Sequence, residues 1–277
     1  MLDMRTIIES NSKSILDLRE IFRFKDLLWN LSKRDVLVRY KQTFIGVVWA
    51  IIRPLINIVI FGFLSQFIEQ TENMAERFIQ VSAGMVIWGL ISTSVTDISN
   101  SIVSNSSILT KVYFPKLIIP ISSLTVCLID FFISFVILVI LKISLIGMPG
   151  PEFFLFPLFL IYALVFGLSI GLFFATLNVK YRDVKLLVPF LIQIGFYACP
   201  VFLSTSFYLE KLPESLKLIF LSNPLVGVIE GFKYAFLGQP MQISPLYFGI
   251  GVVITLVLMI FSLRYFVKFE KTFADYI

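Results

Sequence analysis

The chain has no histidine, only two cysteines (Cys127 and Cys199), and charge on just 15% of its residues. Without histidine it lacks the commonest metal ligand and the commonest general base at neutral pH. Two cysteines, each inside an apolar run, do not make a disulfide framework. There is no G-x-x-x-x-G-K-[ST] loop, so no nucleotide is bound through a P-loop, and no G-x-S-x-G, H-E-x-x-H or C-x-x-C marks covalent or metal-assisted catalysis. Acids within the apolar runs are too few for the proton relay of a pump, and no paired half-helices mark an inverted repeat. Met1 to Asp26 contains no apolar h-region, so no cleaved signal peptide is expected.

What fills the chain instead is apolar surface. Apolar residues make up 58% of the 277 positions, 30 residues are phenylalanine, and mean hydropathy is +0.92. A soluble domain carries about 25% charge, so lipid is the expected solvent. A spanning helix needs about 20 mostly apolar residues, and six stretches qualify: 45–68, 78–97, 117–141, 153–178, 186–204 and 243–265. The fifth, Leu186 to Ser204, is short and contains Pro189 and Pro200; the first is interrupted by Arg53 and Pro54. The expected fold is an all-α integral membrane protein of six transmembrane helices. Residues 1–44 form a cytoplasmic segment with an amphipathic interface helix, and 45–277 the six-span domain.

The net charge of +5 lies in short clusters between apolar runs, which is no nucleic-acid signal. If the N-terminal segment, the 98–116 and 179–185 loops and the C-terminal tail share one side, the other keeps only Arg77, Lys142, Lys211, Lys217 and Lys233, leaving 18 of the 23 basic residues together. The positive-inside rule then puts both termini in the cytoplasm. Trp49, Trp88 and Tyr162 are candidate interfacial anchors or ordinary packing. In the long outside segment, 205–242, Asn223 and Pro224 read as an N-cap and a helix-starting proline. Leu225, Val228, Ile229, Phe232 and Phe236 then share one face, and Gly238 is the stop. The expectation is a short amphipathic helix on, or dipping into, the outer leaflet.

Four features stand out, each with two readings. Lys25 to Phe44 is a basic helix held by anionic lipid, or one that also meets a cytoplasmic partner. The knot Lys111-Val-Tyr113-Phe114-Pro115-Lys116 is a re-entry turn, or a docking element with aromatic and basic anchors. Asn178 to Lys185 is plain positive-inside topology, or its Tyr181, Arg182 and Asp183 hold helix ends through an Arg–carboxylate pair. Asp130, near the middle of the third span, lines a polar pathway, pairs with a basic group from a neighbouring helix, or is protonated and tolerated. Arg53 is positioned to snorkel to the inner headgroups.

Taken together these segments resemble the type-2 ABC exporter permeases of the O-antigen, capsule and teichoic-acid group. The entry motif runs Arg34-Asp35-Val-Leu-Val-Arg39-Tyr40-Lys41-Gln42-Thr-Phe-Ile-Gly46-Val-Val-Trp49-Ala50. It is followed in order by Tyr113-Phe114-Pro115-Lys116, Asn178-Val179-Lys180-Tyr181-Arg182-Asp183-Val184, Asn223-Pro224-Leu225 and Glu270-Lys271-Thr272-Phe273-Ala274-Asp275.

The resemblance implies a bacterial multi-pass protein of the cytoplasmic (inner) membrane. It implies a homodimer with two copies of a separate ABC ATPase, which binds the ATP and Mg; this chain has no cofactor and is no enzyme. The substrate implied is a polyprenyl-diphosphate-linked polysaccharide such as the O-antigen of lipopolysaccharide. The ATPase is expected to dock on Tyr113, Phe114, Pro115 and Lys116 and on Arg34, Asp35, Arg39 and Tyr40 of the N-terminal helix. The first and fifth spans would line the channel, which suggests Phe61, Phe63, Phe67, Phe190, Phe196 and Tyr197, with Asp130 as a further candidate. Asn223 and Pro224 would form an outer gate. Arg53 departs from the pattern, where a neutral polar residue is expected before Pro54. The competing readings are a type-2 ABC permease for a drug or lipid, a membrane-embedded enzyme of polysaccharide assembly, which would need clustered acids and bases on one face, and a structural anchor.

Overall fold

The computed structural model describes residues 22–41, 47–69, 73–109, 111 and 113–273. Gln42 to Gly46 of the entry motif, Ala274 and Asp275 of the tail and the side chain of Trp49 lie outside the described residues. Among the described residues every element is helical, as it must be where no water can satisfy a stray backbone group. In order they are α1 (Lys25–Lys41), α2 (Val47–Ile68), α3 (Met74–Ser104), the single turn α4 (Ser106–Leu109), α5 (Ile118–Leu145), a 3-10 turn (Pro151–Leu155), α6 (Phe156–Lys180), α7 (Val184–Ala198), α8 (Thr205–Lys211), α9 (Glu214–Leu221), α10 (Pro224–Leu237) and α11 (Pro245–Glu270).

Five stretches are long and apolar enough to span: Ile51–Ile68, Met74–Ser104, Ile118–Leu145, Pro151–Lys180 and Pro245–Glu270. Burial does not drive helix association in lipid; close packing at small residues does. The central pair shows this, since a Cβ on Gly167 or Gly171 of α6 would come within 3.0 Å of Ser94 or 2.7 Å of Ile98 on α3.

Polar contacts tie one end of the bundle together. Asn178 at the end of α6 donates to the Ser99 carbonyl at 3.0 Å near the end of α3. The Lys116 backbone N–H, just before α5, donates to Glu270 at the end of α11 at 2.9 Å. Ser32 of α1 meets Thr125 of α5 at 3.1 Å. The N-terminal helix, both loops and the C-terminal helix end thus share one end of the molecule.

The expected fifth span is different from a plain helix. α7 has only 15 residues, about 22 Å at 1.5 Å per residue, and stops before Pro200. The chain still travels from beside Ser99 to beside Arg77, two α3 positions about 33 Å apart, because 199–204 continues the crossing without helical bonds. Its exposed polar groups are met by side chains: Arg77 donates to the Phe202 carbonyl at 3.0 Å, Lys233 to that of Pro200, and the Ser204 N–H to Glu69 at 2.7 Å. Arg77 in turn pairs with Glu69 at 2.8 Å.

Of the two expected placements, on the outer leaflet or dipping into it, the helix takes the inward one, and it is buried on all sides rather than amphipathic in its setting. Asn223 caps α10 by accepting from the Leu225 N–H at 3.0 Å, and Gly238 ends it at φ +69°, as the residue types dictate. However, Val226, Gly227, Glu230, Gly231 and Lys233 are buried along with the apolar face. Gly227 and Gly231 make a small stripe that lets α6 approach; a Cβ on Gly231 would lie 2.1 Å from the Phe159 ring. α9 and α10 are bent by 68° at Ser222–Asn223. Because Gly238 packs by Glu152, Gly231 by Phe159, and Pro224 by Gly251, α10 climbs from inside the bundle toward its rim. The pair is a re-entrant hairpin whose tip, Asn223–Pro224, sits about 9 Å below the start of α11. Trp88 and Tyr162 are 9% and 8% exposed, packed in the core rather than at an interface.

Candidate functional site

A cavity of about 660 Å³ opens between α1, α2, α3, α5 and α7. Its apolar wall includes Phe61, Trp88, Phe131, Phe196 and Tyr197; its polar end is made by Arg39, Tyr40, Arg53, Asn57, Asp130 and Gln193. The aromatic wall is internally braced. Phe196 meets Phe61 edge-on at 5.0 Å and Trp88 at 5.9 Å between ring centroids, and it stacks on Phe202 at 5.6 Å. Pro54 and Pro189 face the same space.

A charged cluster closes the polar end. Arg39 Nη1 lies 2.9 Å from Asp97 and 3.3 Å from Asp130, while the Tyr40 hydroxyl donates to Asp130. Burial works against the charged form of Arg39, but the fields of Asp97 and then Asp130 outweigh it, and its proton affinity is raised. Burial, then the hydrogen bond to Asp130, raises the pKa of Tyr40 above the ordinary value. Nearer the end of the bundle, Arg34 donates to Asn105 at 2.5 Å and pairs with Asp35 at 2.6 Å. The last turns of α1 are therefore stitched to α3 and α5.

The candidate residues fall into distinct places. Phe61, Phe196, Tyr197 and Asp130 line the cavity; so do Arg39 and Tyr40, singled out for docking. Asp130 pairs with a basic group from a neighbouring helix, Arg39, and also faces the cavity. Phe63 and Phe67 pack edge to edge at 4.9 Å on the outer face of α2, 66% and 68% exposed, and Phe190 is 60% exposed on α7. Phe114 is buried among Leu109, Leu117, Ile118, Phe266 and Phe273, and the Lys116 ammonium donates to the Glu270 carbonyl at 2.5 Å. Of the knot, Tyr113 and Lys111 face outward, with Pro115 between. Tyr181, Arg182 and Asp183 are exposed, and among the described residues neither Arg182 nor Asp183 makes an ion pair. The helix ends there are held by Asn178 instead, because a hydrated pair gains little. Asn223 and Pro224 sit at the hairpin tip described above.

Sequence reading missed Asp97, Asn57 and Gln193. It also read Arg77 and Lys233 as outside-loop charges, whereas both are buried. For Lys233 the available signal was a cation amid the apolar residues of 224–237, since such a charge needs a partner; Arg77, at the polar edge of its run, carried no such signal.

The family description "ABC-2 type transporter" matches residues 26–237. An O-antigen export system permease protein RfbA of Myxococcus xanthus is 27% identical over 218 residues, 79% of this chain and 83% of the relative. A protein of the same name from Klebsiella pneumoniae is 26% identical over 255 residues, 90% of this chain and 94% of its own length.

Proposed function

Because the chain belongs to the ABC-2 type transporter family, we propose that this multi-pass membrane protein is the permease subunit of an ATP-driven exporter of polyprenyl-diphosphate-linked polysaccharide, O-antigen in the first place. The observation that carries the reading is the similarity to O-antigen export permeases along 79–90% of the chain. The site agrees with it. A cavity with an aromatic wall and a charged mouth suits a ligand that is part sugar or lipid and part anion.

In this reading the end of the bundle that carries α1, α4 and both helix-end loops faces the cytoplasm of a bacterial inner membrane. Two copies of the chain assemble with two ABC ATPase subunits, which bind ATP and Mg. Tyr113 and Lys111, together with the outward side of α1, offer the docking surface. Phe114 and Lys116 hold that surface in place from beneath. The aromatic faces of α2 and α7 line the passage, and the re-entrant tip at Asn223 and Pro224 closes it on the far side.

The test is affinity capture of the tagged chain from gently solubilised membranes, followed by mass spectrometry. A stoichiometric P-loop ATPase is expected, and Tyr113→Ala is expected to lower its yield without lowering that of the chain. Capture of the chain with no ATPase across several mild detergents would overturn the reading.

A further inference from the structure

The polar end of the cavity holds donors that no described residue engages. Arg39 is engaged by Asp97 and Asp130, and Asp130 also accepts from Tyr40. Arg53 and Asn57, one turn apart on α2, line the same cavity with no hydrogen-bond or ion-pair partner among the described residues. Gln193, across from them on α7, is likewise unengaged. Arg53 lies at the end of the second turn of α2, with six apolar residues, Val47 to Ile52, before it. Its side chain is exposed at the cavity, and among the described residues no carboxylate pairs with it.

We propose that Arg53 and Asn57 form a phosphate site at the cavity mouth, which takes the diphosphate of a lipid carrier. The lipid carrier rests on the export reading; the anion rests on the geometry. A guanidinium binds phosphate oxygens in a two-pronged, charge-assisted way, and an amide one turn along the helix adds a further donor. Among the described residues Asp130 is the carboxylate that lines the cavity, and its oxygens are engaged by Arg39 and Tyr40, which leaves Arg53 to meet an incoming anion. Phe61, Trp88 and Phe196 then offer an apolar wall next to the anion, which suits a ligand with an apolar chain or sugar attached to its phosphate.

The full-length chain, in nanodiscs of phosphatidylcholine, is titrated calorimetrically with farnesyl diphosphate, farnesol, inorganic diphosphate and dihexanoyl phosphatidylglycerol. Farnesyl diphosphate is expected to bind tightest, and Arg53→Gln to weaken it about tenfold or more, with Arg53→Lys keeping most of the affinity. Farnesol binding that is equal in wild type and Arg53→Gln shows that the cavity survives the substitution. Unchanged affinity of Arg53→Gln for farnesyl diphosphate would overturn the site. Inorganic diphosphate or the phosphatidylglycerol binding as tightly as farnesyl diphosphate would overturn the lipid carrier. No ATPase and no export enter this measurement, so its failure is separate from failure of the export reading.

Discussion

Arg39 carries more of the site than any other side chain. It is the cation shared by two aspartates from two different helices, with about a third of its side chain exposed. Removing one partner of a buried pair costs about 3–5 kcal/mol; partial hydration reduces that to about 1–3 kcal/mol here. Arg39→Met is therefore expected to lower the thermal unfolding midpoint of the solubilised chain. Adding Asp97→Asn and Asp130→Asn should recover part of the loss, because the stranded carboxylates are what makes the single substitution costly. An unchanged midpoint, or three changes that simply add, would show that the cluster is not a coupled unit. Asp130 was legible in the sequence, since a lone acid in an apolar run demands a partner. Asp97 was not, because it falls at the expected end of the second span where a charge needs no explanation. The faces of the aromatics were half legible: Arg53, Asn57 and Phe61 recur every four residues along α2 and mark its cavity side, whereas no polar neighbour sets Phe63 and Phe67 apart as outward.

Elements with one clear signal came out as read. Hydropathy located α3, α5, α6 and α11, and cap chemistry located both ends of α10. What failed was depth. Residues 199–204 cross a region where the backbone must be satisfied, and the groups that satisfy it, Arg77, Glu69 and Lys233, come from distant parts of the chain. The burial of α10 depends in the same way on Phe159 and Tyr162 of α6, which no local pattern reveals. The fit of 199–204 against α3 is tight at one point: a Cβ on Gly84 would lie 2.0 Å from the Val201 carbonyl oxygen, a backbone atom with no freedom to turn away. Gly84→Ala should therefore displace the segment and cost about 1–3 kcal/mol, as overpacking does. Gly89→Ala, one turn and a half along the same helix with nothing within 4 Å, should be neutral or gain up to about 1 kcal/mol of helix propensity. Equal unfolding midpoints for the two variants would mean that 199–204 does not depend on its seat against α3.

At the scale of the molecule, the distribution of exposed apolar surface sets the next question. In the spanning stretch of α2 only 17% of residues are buried, and α7 leaves Leu186, Phe190, Ile194 and Tyr197 open beside it. These two helices flank the cavity, so the passage assigned to them is only half enclosed by one chain. Lipid could cover such a face, but a polar cavity mouth opening directly onto hydrocarbon would be costly; in the proposed assembly a second copy of the chain would enclose it. The native cysteines provide a clean background, since Cys127 and Cys199 are both fully buried. Phe63→Cys and Phe190→Cys, on the α2 and α7 faces, are expected to give disulfide-linked dimers when membranes are treated with a mild oxidant. Ile161→Cys, equally exposed at 59% but on α6, should stay monomeric. Cross-linking at Ile161 with none at Phe63 or Phe190 would place the second copy elsewhere, and the passage would then have to be sought on the α6 side of the bundle.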